Sequence, residues 1–223
     1  MKTRNLFTLL AMLLMCSLFL GINGCSSVSD DVLGTNQTAG SDGDGSDDEG
    51  MDEGDDEGDD ESEACPGVDD DGEMIDSVEV MPGDTCTLDG RIVVNSITVG
   101  RGATLIVHGT SIGGDIFSDT GAAAIMVDDG SALRGSIILA LVTGETIVQS
   151  STVAGDINIK KNTGLITLDD NDVLGEVQLF ENTGGVFVTT NRITNTLNCV
   201  DNDPFPRGQG NTAAAMEGQC QGF

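Results

Sequence analysis

The sequence predicts an all-β domain wound as a solenoid, with one coil for roughly every 20 residues. Three observations point there. An aliphatic-x-Gly-x-aliphatic unit recurs as Ile112/Gly114/Ile116, Leu133/Gly135/Ile137, Val153/Gly155/Ile157 and Val173/Gly175/Val177, with a fifth copy at Ile193/Asn195/Leu197; the first residues are spaced 21, 20, 20 and 20. Apolar pairs precede each copy at Leu105/Val107, Ile125/Val127, Thr146/Val148, Ile166/Leu168 and Val186/Val188, and a further column runs through Leu139, Ile159, Leu179 and Cys199. Polar turn positions repeat in the same register: Asn162, Asn182 and Asn202; Asn171 and Asn191 with Ser131 and Ser151; and Thr163-Gly164 with Thr183-Gly184. Short alternating runs broken by Gly, Asn and Asp are strands and turns rather than helices. Stacked coils place like positions about 4.8 Å apart, so each column becomes a continuous ladder. An Asn in each coil can pass a side-chain hydrogen bond to the coil above and tolerates the left-handed geometry of a sharp corner.

The elements follow in chain order. Residues 1–24 carry positive charge at Lys2 and Arg4, then an apolar run from Leu6 to Leu20. The run is too short for a convincing membrane span and fits the charged and apolar regions of a secretory signal. Ile22-Asn23-Gly24-Cys25 resembles the bacterial lipobox. That resemblance implies cleavage before Cys25, diacylglycerol on its sulfur and acylation of the new amino terminus. Cys16 competes poorly, because Met15 before it is bulky. Several acyl chains on one residue hold stably where a single chain does not. Ser26 resembles the outer-membrane sorting pattern of enteric bacteria. The expected location is therefore the cell envelope, lipid-anchored and at the outer membrane, with the membrane as a partner.

Residues 25–72 read as an acidic linker. There is no Lys or Arg from residue 5 to residue 90, and residues 30–73 hold 20 carboxylates. Such a segment buries too little apolar surface to offset its ordering entropy, so it is expected to be disordered and extended by self-repulsion. Its contour is about 150 Å and its random-coil span about 40 Å. The spacing of a calcium-binding loop is absent: with Asp71-Gly72 as the central pair, the first ligand position falls on Gly67. Without Lys2 and Arg4 the chain has 38 acidic and 7 (9 − 2) basic residues, a formal charge of −31. That excludes a nucleic-acid partner, which needs a basic face.

Residues 73–223 form the predicted domain. Four cysteines remain there and just before it: Cys65, Cys86, Cys199 and Cys220, in two pairs each 21 residues apart. An even set in an exported chain reads as disulfides. Four cysteines allow three connectivities, of which the local one is expected. Zinc binding by cysteine has no C-x-x-C and only one histidine, His108, to draw on. Cys199 falls in the inward column of Ile159 and Leu179, and Cys220 lies about one coil further, so a bridge there would pin the final turn over the open end.

The period and the Asn columns resemble the right-handed parallel β-helix family, the fold of pectate lyases and many surface proteins, over roughly residues 87–203. Left-handed hexapeptide helices would show an 18-residue period with an aliphatic at every sixth position, and this chain does not. The closing region, from Cys199 through Asn202-Asp203-Pro204 and Gly210-Asn211 to Gly218-Gln219-Cys220, is similar to the ends of small secreted bacterial β-helix proteins. The resemblance implies architecture alone, because the fold hosts unrelated functions. The repeats allow five or six coils.

Three functions compete. A polysaccharide lyase or hydrolase would use clustered carboxylates with a basic residue; Asp115, Asp156 and Glu176 share a column just after the repeat glycine, with Lys160 and Lys161 about one strand away. The plainer reading is a solvated outer face. A calcium-dependent adhesion module would use Asp128, Asp129, Asp169, Asp170 and Asp172 near coil corners, although exposed turns favour such residues anyway. A structural or binding module needs no catalytic constellation, and no G-x-S-x-G, Walker loop or H-E-x-x-H is present. His108 is expected to point outward at a strand end. The reading that follows is a lipid-anchored, non-enzymatic, monomeric envelope module without a cofactor, facing envelope polysaccharide or protein.

Overall fold

The computed structural model describes Cys65 and residues 74–223. The predicted signal peptide, Cys25 and the linker apart from Cys65 lie outside the described residues. From Val78 onward the chain is a right-handed parallel β-solenoid of about seven coils, without a helix. Each full coil contributes one strand to each of three parallel sheets. The first sheet has eight strands, beginning with Val78–Val80 and ending with Ala215–Gly218; the second has seven, from Thr85–Asp89 to Arg207–Gln209; the third has six two-residue strands, from Ile92–Val93 to Arg192–Ile193. The right hand is the one that lets twisted strands pack back on one another in parallel crossovers. The stack exceeds the expected five or six coils because the terminal coils lack the repeat signature. Val78–Val80 pairs with Ile97–Val99 at one end, and Ala215–Gly218 pairs with Thr196–Val200 at the other.

The apolar columns of the sequence are the walls of the core. In the first sheet one ladder runs Val78, Ile97, Ile116, Ile137, Ile157, Val177, Leu197, and a second runs Ser118, Leu139, Ile159, Leu179, Cys199. In the second sheet Leu88, Val107, Val127, Val148, Leu168 and Val188 align. In the third, Val93, Ile112, Leu133, Val153, Val173 and Ile193 align. All of these side chains are buried. Burying one Val, Leu or Ile contributes about 1.5–3 kcal/mol, and β-branched side chains suit a pleated surface. The period-2 alternation therefore decides which face is inward, and the 20-residue period decides which coils touch.

Each coil turns three times, and two of the corners use the same pair of devices. After the first sheet, Leu141, Lys161, Glu181 and Asp201 take positive φ of 53–62°; after the second, Asp129, Ser150, Asp170 and Thr190 take 48–54°. The residue that follows points inward, except after Asp129, where Gly130 intervenes before the buried Ser131. Asn162, Asn182 and Asn202 stack at the first corner, and Asn171, Asn191 and Asn211 at the second, all buried. The expectation that Asn itself takes the left-handed geometry is corrected here: the residue before it does. The Asn is held instead for its amide. Asn182 Oδ1 accepts from the Asn162 backbone N–H at 3.0 Å, and its Nδ2 donates to Ile159 O at 3.1 Å and to Asn202 Oδ1 at 2.9 Å. At the other corner Asn191 Oδ1 accepts from Asn171 N at 3.1 Å, and its Nδ2 donates to Leu168 O at 2.8 Å. Corners leave backbone groups inside the stack without a sheet partner, and buried groups of that kind must be satisfied.

Both ends are pinned. Cys65–Cys86 and Cys199–Cys220 are bridged, with Cα–Cα separations of 4.3 and 5.3 Å. All four cysteines are buried. The local connectivity is thus the one present, and Cys199 sits below Leu179 in the inward column. At the last coil Asn202 N donates to Gln219 Oε1 at 2.9 Å, so a glutamine ends the asparagine ladder. Phe223 lies over Gly208, where a Cβ would overlap its ring.

Candidate functional site

The carboxylate column after the repeat glycine is a backbone cap. Asp115 Oδ1 accepts from Ser136 N at 2.6 Å, and Asp156 Oδ1 accepts from Glu176 N at 2.9 Å. Serines fill the same role between them: Ser96 Oγ accepts from Asp115 N and Ser136 Oγ from Asp156 N, both at 3.0 Å. The stacked amides at this sharp bend thus find their acceptors in the neighbouring coil. The bend also explains the repeat glycine. A Cβ at Gly135 would fall on Asp115 Oδ1 and the Gly114 carbonyl, and one at Gly175 on Asp156 Oδ1 and the Gly155 carbonyl. Glu176 accepts from Gln178 Nε2. Lys160 and Lys161 end the next strand and begin its corner. Lys161 faces Glu181 at 3.6 Å with both side chains 57% exposed, an ion pair in solvent. The structure does not bring these lysines to the carboxylates as a catalytic cluster.

The corner aspartates part ways. Asp169 accepts from the hydroxyls of Thr189 and, at 2.8 Å, Thr190, one coil below. Asp170 holds a left-handed corner position and is exposed. Asp172 lies on the third sheet, in register with Arg192, and reaches its guanidinium at 3.7 Å. Asp169 and Asp172 engage different neighbours, Asp170 faces solvent, and the three form no joint cation site.

Asp128 and Asp129 do converge, and on a residue the sequence did not link to them. His108 ends the strand Thr104–His108 and stands directly across the sheet from Asp128, the last residue of Ala124–Asp128. Its Nδ1 contacts Asp128 Oδ1 and lies 3.7 Å from Asp129 Oδ2. The ring is 30% exposed and the Asp128 side chain 22%, whereas Asp129 is 77% exposed. His108 is at a strand end, as the sequence implied, but the ring lies along the column instead of pointing into solvent. The signal was there: His108 and Asp128 are 20 residues apart, one coil.

This corner also differs from its neighbours. Elsewhere one left-handed residue suffices before the inward side chain, as in Ser150-Ser151 and Asp170-Asn171. Here both Asp129 and Gly130 have positive φ, 53° and 79°, and Ser131 N donates back to Asp128 O at 3.1 Å. Two positive-φ central residues mark a type I′ turn, and Asp-Gly is a preferred pair for it. The added residue lets Asp129 carry its carboxylate alongside the ring of the previous coil.

Elsewhere, an open depression of about 290 Å³ lies near the first coils, lined by Glu79, Pro82, Thr98, Arg101, Phe117 and Asp119. It mixes both charge signs and assembles no nucleophile with a base. The fold and these surfaces define a short, disulfide-closed parallel β-solenoid. No family model, curated protein or solved structure matches the chain.

Proposed function

We propose that this is an exported, lipid-anchored cell-envelope protein whose β-solenoid serves as a rigid structural or binding module. The observation that carries the reading is the use of the surface carboxylates. Asp115 and Asp156 hold backbone amides, Asp169 holds threonine hydroxyls, and Asp172 and Glu181 pair with single exposed cations. Groups engaged in holding coils together serve a scaffold and leave no general acid and base aimed at one bond. The bridged cysteines agree with an oxidising compartment, and the lipobox-like Ile22-Asn23-Gly24-Cys25 supplies the tether to the outer membrane.

Metabolic labelling with a radioactive fatty acid tests the placement. The wild-type chain is expected to take up label and to fractionate with membranes. The Cys25→Ser variant should do neither, and equal labelling of the two would overturn the anchor. For the module itself, a glycan array and a pull-down from envelope extract with the oxidised protein should give binding without turnover. Release of shortened or unsaturated oligosaccharides would instead establish the enzyme reading.

A further inference from the structure

We propose that His108, Asp128 and Asp129 form a binding site for a divalent transition-metal ion of the zinc class. One ring nitrogen and one oxygen from each carboxylate lie within 4.8 Å of one another. Donors of a tetrahedral ion held about 2.0–2.2 Å from each stand about 3.3–3.6 Å apart, so small side-chain rotations would close the three on one ion. The donors arrive on two adjacent coils. His108 is fixed by strand pairing with Asp128, and its carbonyl accepts from Gly90 N at 2.9 Å and from Thr110 Oγ1 at 3.0 Å. Asp129 is brought alongside by the type I′ turn that this corner alone uses among the described corners. The backbone thus brings the three residues together before any ion arrives, which lowers the ordering cost of binding.

The donor set selects the metal class. Imidazole nitrogen with two carboxylates suits zinc, copper, nickel or iron, whereas calcium demands six to eight oxygens. Three protein ligands leave at least one position open to water or to a ligand's own donor. Asp128 lies beside the ring in either case, and without metal its Oδ1 accepts a hydrogen bond from Nδ1. Metal binding needs the Nδ1 lone pair, so a neutral ring would shift its one hydrogen to Nε2, whereas a ring protonated on both nitrogens would release the Nδ1 proton to solvent. The site differs from a chance surface pair in having Asp129 as a second carboxylate on the same nitrogen.

The chain has one histidine, so the imidazole reports this site without interference from the acidic residues elsewhere. The test is nitrogen-detected magnetic resonance of full-length, oxidised chain labelled at histidine, titrated with zinc chloride. One equivalent of zinc is expected to move both ring-nitrogen resonances, giving an unprotonated, metal-bound Nδ1 and a protonated Nε2, while calcium leaves both in place. Asp128→Asn and Asp129→Asn should each weaken the zinc affinity read from that shift roughly tenfold or more, with unchanged circular dichroism. A ring that zinc does not move would overturn the site, even if calorimetry showed zinc uptake by the rest of the chain. So would a shift that Asp129→Asn leaves untouched, since that would be binding by His108 and Asp128 without the second carboxylate. Equal movement by calcium would overturn the metal class.

Discussion

Asn182→Ala and Asn162→Ala remove the same atoms from the same corner column, one coil apart, yet they should differ in stability. Both side chains are fully buried, so the lost volume is equal. At Asn182 the substitution strips the acceptor from the Asn162 N–H and removes two donor bonds, to Ile159 O and Asn202 Oδ1. A buried orphaned N–H costs about 1–3 kcal/mol and each further bond about 0.5–1.5, giving about 2–6 kcal/mol in all. At Asn162 the Oδ1 accepts from Val142 N at 3.0 Å, but Nδ2 is buried without a hydrogen-bond partner. Its removal orphans one N–H and relieves one unsatisfied donor, so the loss should fall below that at Asn182 by at least about 1 kcal/mol. The assay is guanidinium unfolding of the oxidised protein followed by circular dichroism, comparing midpoints at equal slope. Equal losses, or a larger loss at Asn162, would refute the claim that amide stacking rather than side-chain volume holds this corner.

Cys199→Ser with Cys220→Ser opens a covalent loop of 21 residues and should destabilise the domain by about 3 kcal/mol on the loop-entropy scale, read from the same unfolding midpoints with a non-reducing gel as control. Gly164→Ala places a Cβ on the Gly144 carbonyl, where backbone of the adjacent coil leaves no room. It should lose about 1–3 kcal/mol and lower the melting temperature. Gly130→Ala meets nothing within 4 Å and should cost only the positive-φ penalty of about 1–2 kcal/mol.

The fold was legible because a solenoid writes its contacts at a fixed interval. Ile137, Ile157 and Val177 are neighbours in space because they are 20 residues apart in the chain, so periodicity alone gave the pairing. The bridge at Cys199 followed from the same column. The terminal coils were not legible, since Arg207–Gln209 and Ala215–Gly218 pair through their backbones with little apolar signature. The left-handed residues were misplaced by one position. Lys161, Glu181 and Thr190 carry strain that their residue types do not advertise, and it is sustained by the buried amide that follows. The carboxylate column was read correctly as a column, but its role depends on where Oδ1 points, which spacing does not encode. His108 was weighed by sequence neighbours, whereas its partners lie one coil on.

The amino-terminal bridge also decides how this molecule meets a pulling force. Cys65 is joined to Cys86, and the strand Val78–Val80 lies inside the covalent loop they close. Tension arriving along the chain from its amino-terminal side crosses the sulfur–sulfur bond and enters at Thr85–Asp89, leaving Val78–Val80 slack. Five residues paired in parallel with Thr104–His108 then take the load. With the bridge reduced, the load would instead begin at Ile75 and peel the first coil from its rim. The disulfide is thus a mechanical shunt, and the rupture force of the reduced protein should be lower than that of the oxidised one.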